Sequence, residues 1–148
     1  MKADLSTREL PGIHHTVATS TIKQRQEHVD ALSDVVLAAR PRVASTLMHL
    51  TTVIHNMQAL KGFWEGQQDN FPAKIALTHG ELSEALEADR LQAFDDKLTT
   101  RFGVEAELAD AIIRILDMCG RYQIDIGSVI CEKLIFNASR PIKHGKQY

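Results

Sequence analysis

Val104-Glu105-Ala106-Glu107-Leu108-Ala109-Asp110-Ala111-Ile112-Ile113-Arg114-Ile115-Leu116-Asp117-Met118-Cys119-Gly120 decides the fold class of this chain. Val104, Leu108, Ala111, Ile112, Ile115 and Cys119 recur at three- and four-residue spacing, the period of an α-helix with one apolar stripe. Gly120 supplies a terminator, because glycine readily enters the left-handed conformation that closes a helix. Glu107 and Asp110 are interleaved with the apolar residues Leu108, Ala111 and Ile112.

The same period recurs outward in both directions. Thr21 and Gln24 form a capping-box pattern that opens a helix through Ile22, Val29, Leu32, Val35, Val36 and Ala39, until Pro41 interrupts it. A second helix is expected over about 42–60, with Val43, Leu47, Leu50, Ile54 and Met57 on one stripe. Lys61-Gly62-Phe63-Trp64-Glu65-Gly66 breaks the period and reads as a loop. Asn70 with Pro72 reads as a cap followed by a first-turn proline, opening a third helix over about 73–91. Past the central helix, Asp125 caps a fifth through Ile126, Ile130, Leu134 and Ile135, which stops before Pro141. No alternating strand exceeds four residues. The expected architecture is an all-α bundle of about five helices, with 1–19 a poorly structured N-terminal arm and 20–148 a single domain.

The 148 residues carry a formal net charge of −2, enough chain for one core and too little positive charge for a general binder of nucleic-acid polymers. No stretch approaches the roughly 18 apolar residues of a membrane span. Cys119 and Cys131 lie in apolar helical patterns and read as small hydrophobes. The opening Met-Lys-Ala-Asp lacks the apolar core of a signal peptide, so a cytoplasmic protein without membrane partners is expected.

Charge is unevenly spread. Between Glu65 and Asp110 eleven acids face four bases, leaving −7, whereas 132–148 carries +3. These are either two separate solvated faces or the two halves of a site for metal plus phosphate. Spacing bears on the choice. Glu81 and Glu84 on the third helix, and Glu107 and Asp110 on the fourth, are each three residues apart, so each pair projects in one direction. Like charges at that spacing repel. If the two helices pack antiparallel, four carboxylates meet in a pocket that only cations neutralise. Oxygen-only ligands suit Mg²⁺ or Mn²⁺. In the basic tail, Lys133, Asn137 and Arg140 recur on one helical face, two cations and an amide of the kind a polyphosphate requires.

Competing chemistries lack their residues. No histidine follows a glutamate by three positions, which removes the di-iron bundle pattern. His-Glu-x-x-His, Cys-x-x-Cys, the P-loop and the Gly-x-Ser-x-Gly elbow are all absent.

Gly80-Glu81-Leu82-Ser83-Glu84-Ala85-Leu86, Glu107-Leu108-Ala109-Asp110 and the Lys133…Asn137…Arg140…His144-Gly145 tail together resemble the MazG-like family, the all-α nucleoside triphosphate pyrophosphohydrolases. The likeness spans about 46–147, with 22 residues (85–106) between the acidic pairs. It implies two or more Mg²⁺ or Mn²⁺ ions on Glu81, Glu84, Glu107 and Asp110, with the triphosphate on Lys133, Asn137, Arg140, Lys143 and Lys146. It places His55, Asn56, Lys61 and Trp64 near the nucleoside. It also implies a short, single-domain enzyme of bacteria or phages. That enzyme would act on nucleoside triphosphates, a purine such as dGTP or GTP first, and assemble as a dimer or dimer-of-dimers tetramer. Water would attack the α-phosphorus, with Glu84 orienting or deprotonating it, releasing a monophosphate and pyrophosphate. The family pattern doubles the first acid, and Gly80 stands in that place here. A non-catalytic helical module that binds nucleotide or protein is the alternative.

Overall fold

The computed structural model describes residues 21–66 and 70–141, and within them the chain is all-helical. Four helices follow in order: α1 (Ile22–Leu60), α2 (Phe71–Leu91), α3 (Gly103–Arg121) and α4 (Ile126–Ala138). The expected arm over 1–19 lies outside the described residues. None of these helices is long and apolar enough to cross a membrane.

The first correction concerns Pro41. The expected pair of N-terminal helices is one helix of 39 residues with Pro41 inside it. Proline removes one N–H from the ladder and crowds the carbonyl four residues back, but it leaves the turns on either side intact. The helix opens as anticipated. The Thr21 N–H donates to Gln24 Oε1 at 2.8 Å, and the Gln24 N–H donates back to Thr21 Oγ1 at 3.3 Å. It closes at Gly62, whose φ of +83° is the left-handed conformation expected past a helix end.

The described residues gather into two compact units. One comprises 49–124, and the other 21–48 with 125–141.

In the first unit, α2 packs along α3, and successive pairs fix the direction. Gly103 approaches Ala88, Arg114 pairs with Glu81, and Tyr122 packs on Phe71 with ring centroids 5.1 Å apart. One helix therefore ascends as the other descends. Between them, Gln92 takes φ +50° to end α2, and the Gly103 N–H donates to the Ala93 carbonyl at 2.9 Å. The Phe94 and Phe102 rings pack 4.7 Å apart across this short closure. The buried residues of this unit include Ala85, Ala111, Leu116, Met118 and Cys119. Two boundary expectations change. α2 starts at Phe71, and Asn70 makes no side-chain cap bond. α3 runs one residue past Gly120. Gly120 serves packing instead: a Cβ there would meet His55 Cβ at 2.5 Å and the Thr51 carbonyl at 3.2 Å, so α1 and α3 approach this closely only over glycine.

In the second unit, Gly127 plays the same part between α4 and α1, since a Cβ there would lie 2.6 Å from Ala44 Cα. Asp125 caps α4 as anticipated, accepting from the Ser128 N–H at 3.1 Å. Arg40 and Glu132 pair across the same two helices. Cys131 is buried and free.

Candidate functional site

Antiparallel packing of α2 and α3 brings carboxylates from both helices together. One oxygen each from Glu81, Glu84 and Glu107 lies within 4.8 Å of the other two. The i,i+3 spacing puts Glu81 and Glu84 on the same side of α2, and Glu107 reaches across from the first turns of α3. Glu81 is buried, Glu107 half-buried and Glu84 exposed, so the group grades from the helix interface to solvent.

Burial pushes the Glu107 carboxyl above the usual carboxylate range. Its hydrogen bond with Glu81, then the negative charges of Glu84, Glu81 and Asp110, push it further. This electrostatic crowding is partly relieved from within the protein, because Arg114 Nε donates to Glu81 Oε1. The donor set is three carboxylates and no nitrogen or sulfur, which fits a hard divalent cation. The group can hold a metal ion.

Asp110 stands apart from these three. It lines a cavity of about 160 Å³ in the same unit, together with Gln58, Phe63, Lys74, Ile113, Arg114 and Asp117. Arg114 touches both features, lining the cavity and pairing with Glu81.

Around that cavity lies a network the sequence reading did not anticipate. Asp117, only 7% exposed, accepts from His55 Nδ1 at 2.8 Å. It also accepts from Trp64 Nε1, at 2.9 Å to one oxygen and 3.1 Å to the other. The His55 and Tyr122 rings meet Trp64 edge-on at 5.7 and 6.4 Å. The Lys74 ammonium lies 4.2 Å from the centre of the indole and donates to the Phe63 carbonyl at 3.2 Å. Two of the four residues expected near a nucleoside, His55 and Trp64, thus meet on one carboxylate. The other two, Asn56 and Lys61, are exposed on and just past the end of α1.

Asp117 had a signal in the sequence: it is the one acid inside the apolar run 115–119. Arg114, four residues after Asp110, had one too, being the single cation in a helix rich in acids before its last turn.

The basic stripe belongs to the other unit. Lys133 is exposed, 5.1 Å from the Phe136 ring centre, and Asn137 is half-buried on α4. Arg140 departs from expectation: α4 ends at Ala138, so Arg140 sits in the turn beyond it and does not continue the helical face. Pro41 is tolerated mid-helix, but here Pro141 follows directly, and proline disfavours the helical conformation in the residue before it. Lys143 and Lys146 lie outside the described residues.

No family model matches the chain, and neither a curated protein nor a solved structure matches it.

Proposed function

We propose that this chain is a metal-dependent nucleoside triphosphate pyrophosphohydrolase, converting a triphosphate to the monophosphate and pyrophosphate. The observation that carries the reading is the convergence of Glu81, Glu84 and Glu107 from two antiparallel helices within 4.8 Å. Three like charges are gathered where the fold gains nothing from their mutual repulsion, and a divalent cation is the partner their chemistry asks for.

Glu81, Glu84 and Glu107 would hold Mg²⁺ or Mn²⁺. The bound ion would offset phosphate charge and lower the pKa of a water. Glu84, the exposed member, would orient or deprotonate the water attacking the α-phosphorus. Arg114 stands ready to neutralise substrate charge beside it. The phosphate-binding role of Lys133, Asn137 and Arg140, the preference for a purine such as dGTP, and assembly into dimers or tetramers rest on the MazG-like resemblance alone.

The test is release of pyrophosphate from a panel of ribo- and deoxynucleoside triphosphates, with and without Mg²⁺ or Mn²⁺. Metal-dependent release is expected, and Glu84→Gln and Glu107→Gln are each expected to lower it by about a hundredfold or more. Release that needs no metal, or survives both substitutions, would refute the assignment.

One observation favours a second reading. The Arg114–Glu81 pair already supplies the cluster with a cation of its own, as a non-catalytic nucleotide-binding or protein-binding module would need. Such a module binds without turnover, so the same panel separates the two.

A further inference from the structure

Asp117 is a carboxylate more than nine-tenths buried in α3, flanked by the buried Leu116 and Met118. Burying a charge there is costly unless donors meet it, and the donors come from two different segments. His55 reaches it from α1, and Trp64 reaches it from the 61–66 turn. An indole N–H only donates, and an ionised carboxylate only accepts, so the direction of that bond is fixed. The turn itself runs between two glycines of positive φ, Gly62 at +83° and Gly66 at +63°. Backbone bonds from Lys61, Gly62 and Phe63 hold the turn to the end of α1, and the bond from Trp64 to Asp117 ties it to α3.

The cavity beside this tether indicates what the tether is for. Phe63 and Ile113 give it apolar walls; Gln58, Lys74 and Arg114 bring donors; Asp110 and Asp117 bring acceptors. A phosphate offers acceptors only and would face two carboxylates. A flat heterocycle with both donors and acceptors on its edge matches the lining. Arg114 connects this cavity to the carboxylate cluster through Glu81, as a base next to its own phosphates requires.

We propose that Asp117 is a positioning residue for base recognition: by holding Trp64, beside His55, on one buried carboxylate, it fixes the 61–66 turn and with it Phe63, an apolar wall of the cavity against which the nucleobase packs. This rests on the nucleotide-hydrolysis reading above.

Trp64 is the only tryptophan of the chain, so its emission reports the tether without any turnover. In nucleotide-free protein, Asp117→Asn is expected to shift Trp64 emission to longer wavelength. With the best triphosphate of the panel, the same variant is expected to raise KM about tenfold while kcat stays within about threefold. Trp64→Phe keeps a ring but loses the donor. It is expected to give the same rise in KM with an unchanged circular-dichroism spectrum, and the double variant is expected to be no worse than either single one. An unmoved emission, an unchanged KM, or a fall in kcat with KM constant would overturn the proposal.

Should the wild-type protein release no pyrophosphate, the hydrolase reading fails and the positioning role is judged by binding. Saturable quenching of Trp64 by a triphosphate, weakened about tenfold in Asp117→Asn, would sustain it. Absence of quenching in the wild type would end it.

Discussion

The guanidinium of Arg114 pairs with the carboxylate of Glu81, so a cation already stands beside the three-glutamate cluster. The geometry follows from register: Glu81 lies midway along α2, and the antiparallel α3 brings Arg114, seven residues past Glu107, to the same level. Glu81 has 9% of its side chain exposed and Arg114 38%, so the pair is screened from water on the acidic side only. Removing the partner leaves a nearly buried charge unmatched, which is worse than never having built the pair. Arg114→Gln is therefore expected to destabilise the metal-free protein by about 1–2 kcal/mol, discounted for the exposed guanidinium. Thermal unfolding in chelator measures this. An unchanged melting temperature would show that the pair contributes nothing.

Gly120 carries a separate packing prediction. A Cβ at this position meets His55 at its own Cβ and Cγ, 2.5 and 2.9 Å away, and those atoms cannot swing aside as a side-chain tip would. Gly120→Ala gains helix propensity but overpacks the α1–α3 contact. The second effect is expected to win, with a net loss of about 1–3 kcal/mol by chemical denaturation. Because His55 is the residue displaced, Trp64 emission is expected to change in the same variant.

Helical period was readable because it is a local property. The stripes over 22–39, 42–60 and 104–119 each became helix, and the Asp125 cap formed through a bond to a residue three positions on. The expectation that fails is a break at Pro41: the proline costs one backbone bond, and the turns on both sides persist. The acidic pairs were legible as i,i+3 spacing, yet which three carboxylates converge depends on the axial register of α2 on α3. That register is set by packing such as Gly103 on Ala88, and it leaves Asp110 facing the cavity. Asp117 escaped notice because its partners, His55 and Trp64, are 62 and 53 residues away in sequence.

Pro41 offers a direct measure of that misjudged break. It is exposed within α1 and forms no part of the carboxylate cluster or the cavity. Pro41→Ala restores an N–H to the ladder and relieves the crowding at the Leu37 carbonyl. The variant is expected to be more stable than the wild type by about 1–3 kcal/mol. Loss of stability would mean that the proline bends α1 to a shape the second unit needs.

Asp125 gives a pH-dependent prediction on the other unit. Its carboxyl is held below its ordinary value of 3.8 by the hydrogen bond from the Ser128 hydroxyl, with the Ser128 N–H adding to it. A lowered folded-state pKa means stability that is complete above 3.8 and lost as pH falls through the folded value. Asp125→Ala should therefore lower the melting temperature at pH 7 and leave it nearly unchanged at the acid end of the titration. An equal loss at both ends would assign the effect to something other than the charged cap.

Glu107 has the opposite sign, and it separates a site kept for binding from one kept for stability. Burial, the bond with Glu81 and the neighbouring acids raise its folded pKa above the ordinary 4.5. Between those two values the native state holds more protons than the unfolded chain, so metal-free stability falls as pH rises through the window. Above that window the ionised carboxylate is a net burden on the fold. Glu107→Gln is therefore expected to raise the metal-free melting temperature at pH 7 by roughly 1–4 °C. Millimolar Mn²⁺ should reverse the order, stabilising the wild type by the linkage RT ln(1 + [L]/Kd) while leaving the variant where it was. Melting curves of both proteins in chelator and in Mn²⁺ decide it. A variant that is less stable in chelator, or that gains as much from Mn²⁺ as the wild type, would remove Glu107 from the metal site.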